Sequence, residues 1–269
     1  MFGHRSARAL AIFLVLAFAQ VVGPARAATS DGVKPSIVLV HGAYADASSW
    51  NGVIPLLQAA GYTVYAPPNT LRGVATDAAT IATFVKSIPG PVILVGHSYG
   101  GTVISVASAS TPNVRALVYV DAFAPDAGES ALSLLASVPS PPAPPDFLIT
   151  VPFASGGDAD LYINPKYYGA VFASDVPPAT ATILAVTQRP VTGSALNDKA
   201  PAAEGWKTIP SWFVIGDADL VIPPSLQLTM AKRAKAHVIH VPTGSHPSMI
   251  EHPEATVAAI VAATQATAK

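Results

Sequence analysis

The chain has 269 residues, no cysteine and a formal charge of −1, a length that suits one domain and is ample for a sizeable core. Charged residues make up 12% and apolar residues 51%, about half the usual charged share. Without cysteine there is no disulfide to rely on, so stability must come from core burial.

Residues 1–27 read as a secretory signal. His4, Arg5 and Arg8 form a basic start, Ala9 to Val22 an apolar run interrupted at Gln20, and Ala25-Arg26-Ala27 a small-x-small cleavage pattern. The run is shorter than the ~20 residues a spanning helix needs, so cleavage is expected rather than a membrane anchor. No cysteine follows it to carry a lipid. Arg5, Arg8 and Arg26 leave with the leader, so a mature chain of 242 residues keeps 12 basic against 16 acidic residues. A mildly acidic protein without basic runs is a poor nucleic-acid binder. The expected location is secreted or periplasmic.

From Ser36 onward short apolar runs alternate with segments of helical spacing. Ile37–Val40, Tyr62–Ala66, Val92–Val95, Leu117–Val120, Trp212–Ile215 and Val238–Val241 read as buried parallel strands. Trp50–Ala60, closed by Gly61, reads as a helix with its C-terminal glycine. Val74–Ile88, Thr102–Ser110, Pro223–Ala236 and Pro253–Ala263 read as further helices. The alternation predicts an α/β fold: a mostly parallel sheet of about six strands with helices on both faces. Between Ala124 and Lys207 the rhythm breaks. Pro139, Pro141, Pro142, Pro144, Pro145, Pro177, Pro178 and Pro190 are interspersed with Phe147, Phe153, Tyr162, Tyr167, Tyr168 and Phe172. That aromatic content argues for an inserted lid and against disorder. The predicted organisation is a signal at 1–27 and a single domain at 28–269 with a lid insertion at about 124–207.

Gly96-His97-Ser98-Tyr99-Gly100 follows a predicted strand directly and precedes a helical run. A serine on such a turn is lifted above the sheet edge, and its neighbours two residues away must be small. At a helix N-terminus, developing negative charge is favoured. Ser98 is therefore the expected nucleophile. A serine hydroxyl needs a base, itself held by a third group. His4 lies in the leader, and His97 is expected to point away from Ser98. His237 and His240 fall on a strand, and His252 reads as the N-cap of the last helix. His246, in Thr243-Gly244-Ser245-His246-Pro247, sits in a loop at the carboxyl end of a strand, where the sheet's loops converge. It is the expected base.

The acid is expected between serine and histidine in chain order. Ile215-Gly216-Asp217-Ala218-Asp219 ends a strand and offers two candidates. Asp217 suits a turn cap, Asp219 can point back toward the histidine, and Asp121 at the end of the preceding strand is a third option. An oxyanion needs two preorganised N–H donors. Tyr99, next to the nucleophile, supplies one. Ala43 in His41-Gly42-Ala43-Tyr44 supplies the other, with Gly42 allowing a sharp turn and His41 structural. Dinucleotide, P-loop and H-E-x-x-H patterns are missing from the sequence, so no cofactor or metal is expected.

On these residues the chain resembles the α/β-hydrolase superfamily over essentially its whole mature length. Ile37–Trp50, Val92–Gly101, Pro210–Pro223 and Gly244–Pro253 carry the resemblance in the superfamily's order. His41-Gly42-Ala43, the spacing to Trp50 and Pro55-Leu56-Leu57, and Ser245-His246-Pro247-Ser248-Met249 resemble a compact branch of plant methyl esterases, hydroxynitrile lyases and bacterial esterases. The resemblance implies Asp219 as the acid, three residues after the strand-ending glycine, and Ala43 as oxyanion donor. The lyases of that branch carry lysine after the histidine and replace the glycine of His-Gly. Pro247 and Gly42 depart from that pattern, which disfavours lyase chemistry. The expected reaction is hydrolysis of a small carboxylic ester with an apolar part, through an acyl-enzyme, by Ser98, His246 and Asp219. Other acyl transfers (lactonase, thioesterase, peptidase or cofactor-free perhydrolase) keep the same fold, and a non-catalytic ligand-binding protein is the remaining alternative.

Overall fold

The computed structural model describes Met1, residues 33–139 and residues 143–268. The chain divides into two units, Met1–Ser30 and Asp31–Lys269, and every element named below belongs to the second. The leader, its cleavage pattern, Pro141 and Pro142 lie outside the described residues. No helix among the described residues is long and apolar enough to cross a membrane.

In chain order the elements begin with β1 (Ser36–Val40), α1 (Val53–Ala59), β2 (Val64–Tyr65) and α2 (Val74–Lys86). β3 (Val92–His97), α3 (Tyr99–Ser108) and β4 (Val114–Val120) follow. Then come α4 (Ala131–Ala136), β5 (Leu148–Pro152), β6 (Ala159–Ile163), α5 (Pro165–Tyr167), α6 (Pro178–Thr187), β7 (Val191–Thr192) and α7 (Gly193–Asn197). β8 (Ser211–Gly216), α8 (Pro224–Arg233), β9 (His237–Val241), α9 (Ser248–Glu251) and α10 (Pro253–Thr267) close the chain.

β1, β2, β3, β4, β8 and β9 form one six-stranded sheet in the order β2-β1-β3-β4-β8-β9, parallel at every pairing. The six predicted strands form it, although β9, expected to be buried, lies at the edge and is exposed at His237, Val238 and His240. The apolar runs work because a strand's side chains alternate between faces. Val38, Val40, Leu94, Leu117, Tyr119, Phe213 and Ile215 enter one core, with α2, α3 and α8. Ile37, Leu39, Ile93, Val95, Val118, Trp212 and Val214 enter the other, with α1 and α10. A strand buried on both sides therefore reads as a continuous apolar run.

Helix boundaries shift by a few residues, α3 starting at Tyr99 rather than Thr102 and α10 running on to Thr267, and two further differences have a local cause. Trp50 ends a short 3-10 turn, Ala47–Trp50, and α1 starts only at Val53. The run Tyr62–Ala66 yields just two strand residues, because β2 lies at the sheet's edge and pairs with β1 alone. Gly61, at φ +78, does follow the end of α1 as expected.

Between β4 and β8 the insertion builds its own antiparallel sheet, β5-β6-β7, with short helices and a π-helical turn at Tyr168–Phe172. Order in the main sheet reverses beside β1, since the chain goes from β1 outward to β2 and then returns to β3 on the other side. The crevice beyond the carboxyl ends of β1 and β3 is where ligands of open α/β sheets bind.

Candidate active site

β3 ends at His97 and α3 begins at Tyr99, so Ser98 alone makes the turn. It adopts φ +52 and ψ −125, outside the regions open to most L-residues, at a cost of about 1–3 kcal/mol. The surroundings enforce it. Ser98 N–H donates to Val120 O at 3.2 Å, and Ser98 O accepts from Phe123 N–H at 3.2 Å and Gly101 N–H at 2.9 Å. A Cβ on Gly96 would lie 2.6 Å from Gly100 O, and one on Gly100 would lie 2.5 Å from Val40 O. Both glycines are required by close backbone approach.

The fold brings Ser98, His246 and Asp219 together. His246 Nε2 lies 2.8 Å from Ser98 Oγ, and His246 Nδ1 lies 2.9 Å from Asp219 Oδ2. All three are buried. Burial lowers His246 to about 3, which leaves the ring unprotonated at neutral pH and able to accept a proton. Burial pushes the Asp219 carboxyl up, opposed by the N–H groups of Ile222, Val221 and Gln227. Oδ1 accepts from Val221 N–H at 2.8 Å and Ile222 N–H at 2.9 Å. Gln227 Nε2 donates to Oδ2 at 2.8 Å. With its other lone pair, Oδ2 faces Nδ1 and thereby selects the tautomer whose Nε2 is free to accept from Ser98.

The other two candidate acids are placed elsewhere. Asp217 Oδ1 lies 2.7 Å from His240 Nδ1, on the surface. Asp121 is buried, and its Oδ1 accepts from Gly216 N–H at 2.6 Å. Its Oδ2 accepts from Ser248 N–H at 3.1 Å and from the Ser248 hydroxyl. It ties the end of β8 to the start of α9.

Ala43 follows β1 and Tyr99 is the first residue of α3. Among the described residues neither N–H has an acceptor, as preorganised oxyanion donors require. Gly42 departs from expectation in its reason. Its φ is not positive; instead a Cβ there would lie 2.6 Å from Ser98 Cβ and 2.8 Å from His97 O. Glycine lets the β1 loop pass directly against the serine. His41 is structural as expected: its Nε2 accepts from Asn69 N–H at 2.9 Å.

Several participants were not visible in the sequence. His97 Nε2 donates to His246 O at 3.2 Å, propping the histidine loop from beneath. Phe172, from the insertion, stands edge-on to the His246 ring at 4.9 Å. Gln227 reads in sequence as one polar residue on a helix. No local pattern marks any of the three, since each contact joins distant segments. His252 occupies the position before α10, but its side chain caps no helix N–H. The ring is drawn instead to Asp175, with Nε2 at 3.3 Å from Oδ2. Among the described residues no group of three His, Cys, Asp or Glu side chains could hold a metal ion.

Comparison with known proteins supplies the wider setting. A carbendazim hydrolyzing esterase of Nocardioides sp. (strain SG-4G) is 36% identical over 126 residues, 42% of this chain and 52% of that protein. The chain thus spans about half the length of that relative. Methylesterase 1 of Arabidopsis thaliana is 28% identical over 220 residues, covering 73% of this chain and 83% of the relative. The solved structure of polyneuridine aldehyde esterase superposes with a TM-score of 0.73 at 19% identity, covering 86% of this chain and 99% of that one. That likeness shows the fold. The family model for alpha/beta hydrolases matches residues 37–259, from β1 into α10. The chain belongs to the alpha/beta hydrolase family.

Proposed function

We propose that the protein is a serine hydrolase that cleaves a small carboxylic ester through an acyl-enzyme. One observation carries the reading: the unbroken line from Ser98 Oγ through His246 to Asp219, at 2.8 and 2.9 Å. The names of the bacterial esterase and the plant methylesterase support ester bonds as the target.

As Ser98 Oγ attacks the ester carbon, its proton passes to His246 Nε2 and the carbonyl π electrons move onto oxygen. The Ala43 and Tyr99 N–H groups hold that oxyanion; removing one such donor typically costs about 10²–10³ in kcat. Asp219 accepts from Nδ1–H and stabilises the imidazolium. Collapse breaks the bond to the alcohol oxygen, which takes the proton from Nε2 and departs. Water then gives a proton to His246 Nε2 as it attacks the acyl-Ser98 ester, and the second collapse breaks the acyl–Oγ bond, returns that proton from Nε2 to Ser98 and releases the acid. The aromatic surroundings, Phe172 against His246 and Tyr44 against Phe172, suit a substrate with an apolar part.

The test is turnover of p-nitrophenyl butyrate and labelling of Ser98 by a fluorophosphonate. The expected result is one label per chain and hydrolysis that falls by about 10⁶ in Ser98→Ala. Labelling without ester turnover would move the reading to another acyl transfer, and full activity in Ser98→Ala would end it. From the leader read at residues 1–27 we further infer a location outside the cytoplasm. Fractionation should recover the protein outside the cytoplasm with an N-terminus at Ala28, and recovery only in the cytoplasm with Met1 retained would overturn that placement.

A further inference from the structure

The loop bearing Ala43 and the loop bearing His246 come from opposite ends of the chain, and neither is held by the main sheet alone. Tyr44, directly after Ala43, sits at φ +59, a left-handed conformation that costs a non-glycine residue about 1–2 kcal/mol. It persists because outside groups over-determine it. Both come from the insertion: Tyr44 N–H donates to Arg189 O at 3.0 Å, and Tyr44 O accepts from the Tyr168 hydroxyl at 2.8 Å. Tyr168 is buried, so its hydroxyl has no water to exchange for that carbonyl.

Seven residues further on, the same segment reaches the histidine loop. Asp175 accepts from Ser245 N–H at 3.0 Å through Oδ2 and from the Ser245 hydroxyl through Oδ1. Ser245 immediately precedes His246. Between these two grips lies Phe172, edge-on to Tyr44 at 6.3 Å and to His246 at 4.9 Å. The backbone over Tyr168–Phe172 is a π-helical turn, a geometry frequent at functional sites.

Resting on the acyl-transfer reading above, we infer that residues 168–175 are a splint joining the oxyanion loop to the histidine loop. Tyr168 and Asp175 are its positioning residues. Tyr168 fixes the Tyr44–Ala45 peptide, one residue beyond the Ala43 donor, and Arg189 O holds the intervening Tyr44 N–H. Asp175 fixes the backbone from which the imidazole reaches Ser98. The insertion thus takes part in building the catalytic geometry as well as covering it, and a change in substrate-facing insertion residues can alter rate without touching the triad.

The experiment compares Tyr168→Phe, Asp175→Ala and Asp175→Asn with the wild type, on p-nitrophenyl butyrate and in the rate of Ser98 labelling by a fluorophosphonate. Tyr168→Phe and Asp175→Ala should each lower kcat and the labelling rate about tenfold with KM within about twofold, since small displacements of reacting groups act on rate. Asp175→Asn, which keeps an acceptor for Ser245 N–H, should recover part of the loss. The double variant should lose less than the product of the two single losses, because a splint freed at either end no longer ties the loops together, whereas fully multiplied losses would mean two independent anchors and overturn the splint. Unchanged kcat and labelling in both single variants, or a rise in KM with kcat intact, would overturn the splint. So would a loss that only follows the fraction unfolded by circular dichroism. Wild-type protein that neither hydrolyses the ester nor takes the label would end the acyl-transfer reading, and the splint with it. An active, labelled wild type with unaffected variants would end the splint alone.

Discussion

The ends of β4 and β8 present the same chemistry in different states of use. Each strand runs buried to its carboxyl end and is followed by a buried aspartate, Asp121 after β4 and Asp219 beyond β8. Burial drives both carboxyls upward, and for Asp121 the nearby Asp219 adds to the effect. The difference lies in where their oxygens point. Asp121 commits both to Gly216 and Ser248, so it joins two pieces of backbone. Asp219 satisfies Oδ1 with two backbone N–H groups and leaves Oδ2 shared between Gln227 and His246. In the proposed mechanism the carboxylate that acts is the one whose oxygen is left for a side chain that must change its protonation.

The comparison is broken most sharply by Asp219→Asn. The Val221 and Ile222 N–H groups would hold the amide oxygen at the Oδ1 position, turning the NH₂ toward Gln227 and His246. That forces Nδ1 to accept and moves the ring proton to Nε2, where Ser98 can no longer donate. kcat should fall by about 10⁴ while the protein stays folded, as in other triads with this change. A kcat within tenfold of wild type would remove Asp219 from the site.

Gln227→Leu sharpens the same point at smaller scale. It deletes the donor at 2.8 Å to Oδ2 and also the one at 2.9 Å to Ile222 O. The Asp219 carboxyl should be driven further up, and kcat should drop about tenfold, the scale of outer-shell losses. Asp121→Asn is expected to lower kcat by only about threefold. Its larger signature is in thermal unfolding, a loss of about 1–3 kcal/mol for a buried network left partly unsatisfied. If Asp121→Asn cost more activity than Asp219→Asn, the roles assigned here would have to be exchanged.

A last comparison uses pH on the wild type. In the proposed mechanism His246 must be unprotonated to act, and burial lowers it from 6.5 to about 3. The acid limb of kcat/KM should therefore lie below pH 6.5, since that limb reports the free enzyme's base. The same shift acts on stability. Between about 3 and 6.5 the unfolded ring binds a proton that the folded one refuses. The His246 contribution is therefore complete above pH 6.5 and fades as pH falls through that window. A limb at or above 6.5 would show that the ring is not desolvated as it stands here.

Where a feature depends on a few neighbouring residues, the chain could be read directly. Ile37–Val40 and Val92–Val95 could be read as strands buried on both faces, because runs this short and rich in Val and Ile, in alternation with helical segments, fit a buried parallel strand better than a buried helix. Gly96 and Gly100 had to flank a turning serine, because any Cβ would collide with backbone 2.5–2.6 Å away. The sequence thus determined the parallel sheet, the elbow at Ser98 and the loops that face it. It narrowed the acid to residues at strand ends.

Tertiary structure alone decided where Asp217 and Asp121, the rivals of the expected Asp219, place their oxygens, that His97 supports the histidine loop, and that residues 168–175 contact both loops. The reason is physical. Local pattern encodes dihedral preference and which face is apolar, whereas a hydrogen bond from Ser245 to Asp175 spans 70 residues and exists only once both segments have packed. The partner of a buried polar group is chosen by what packing brings within 3 Å, and no spacing along the chain records that choice.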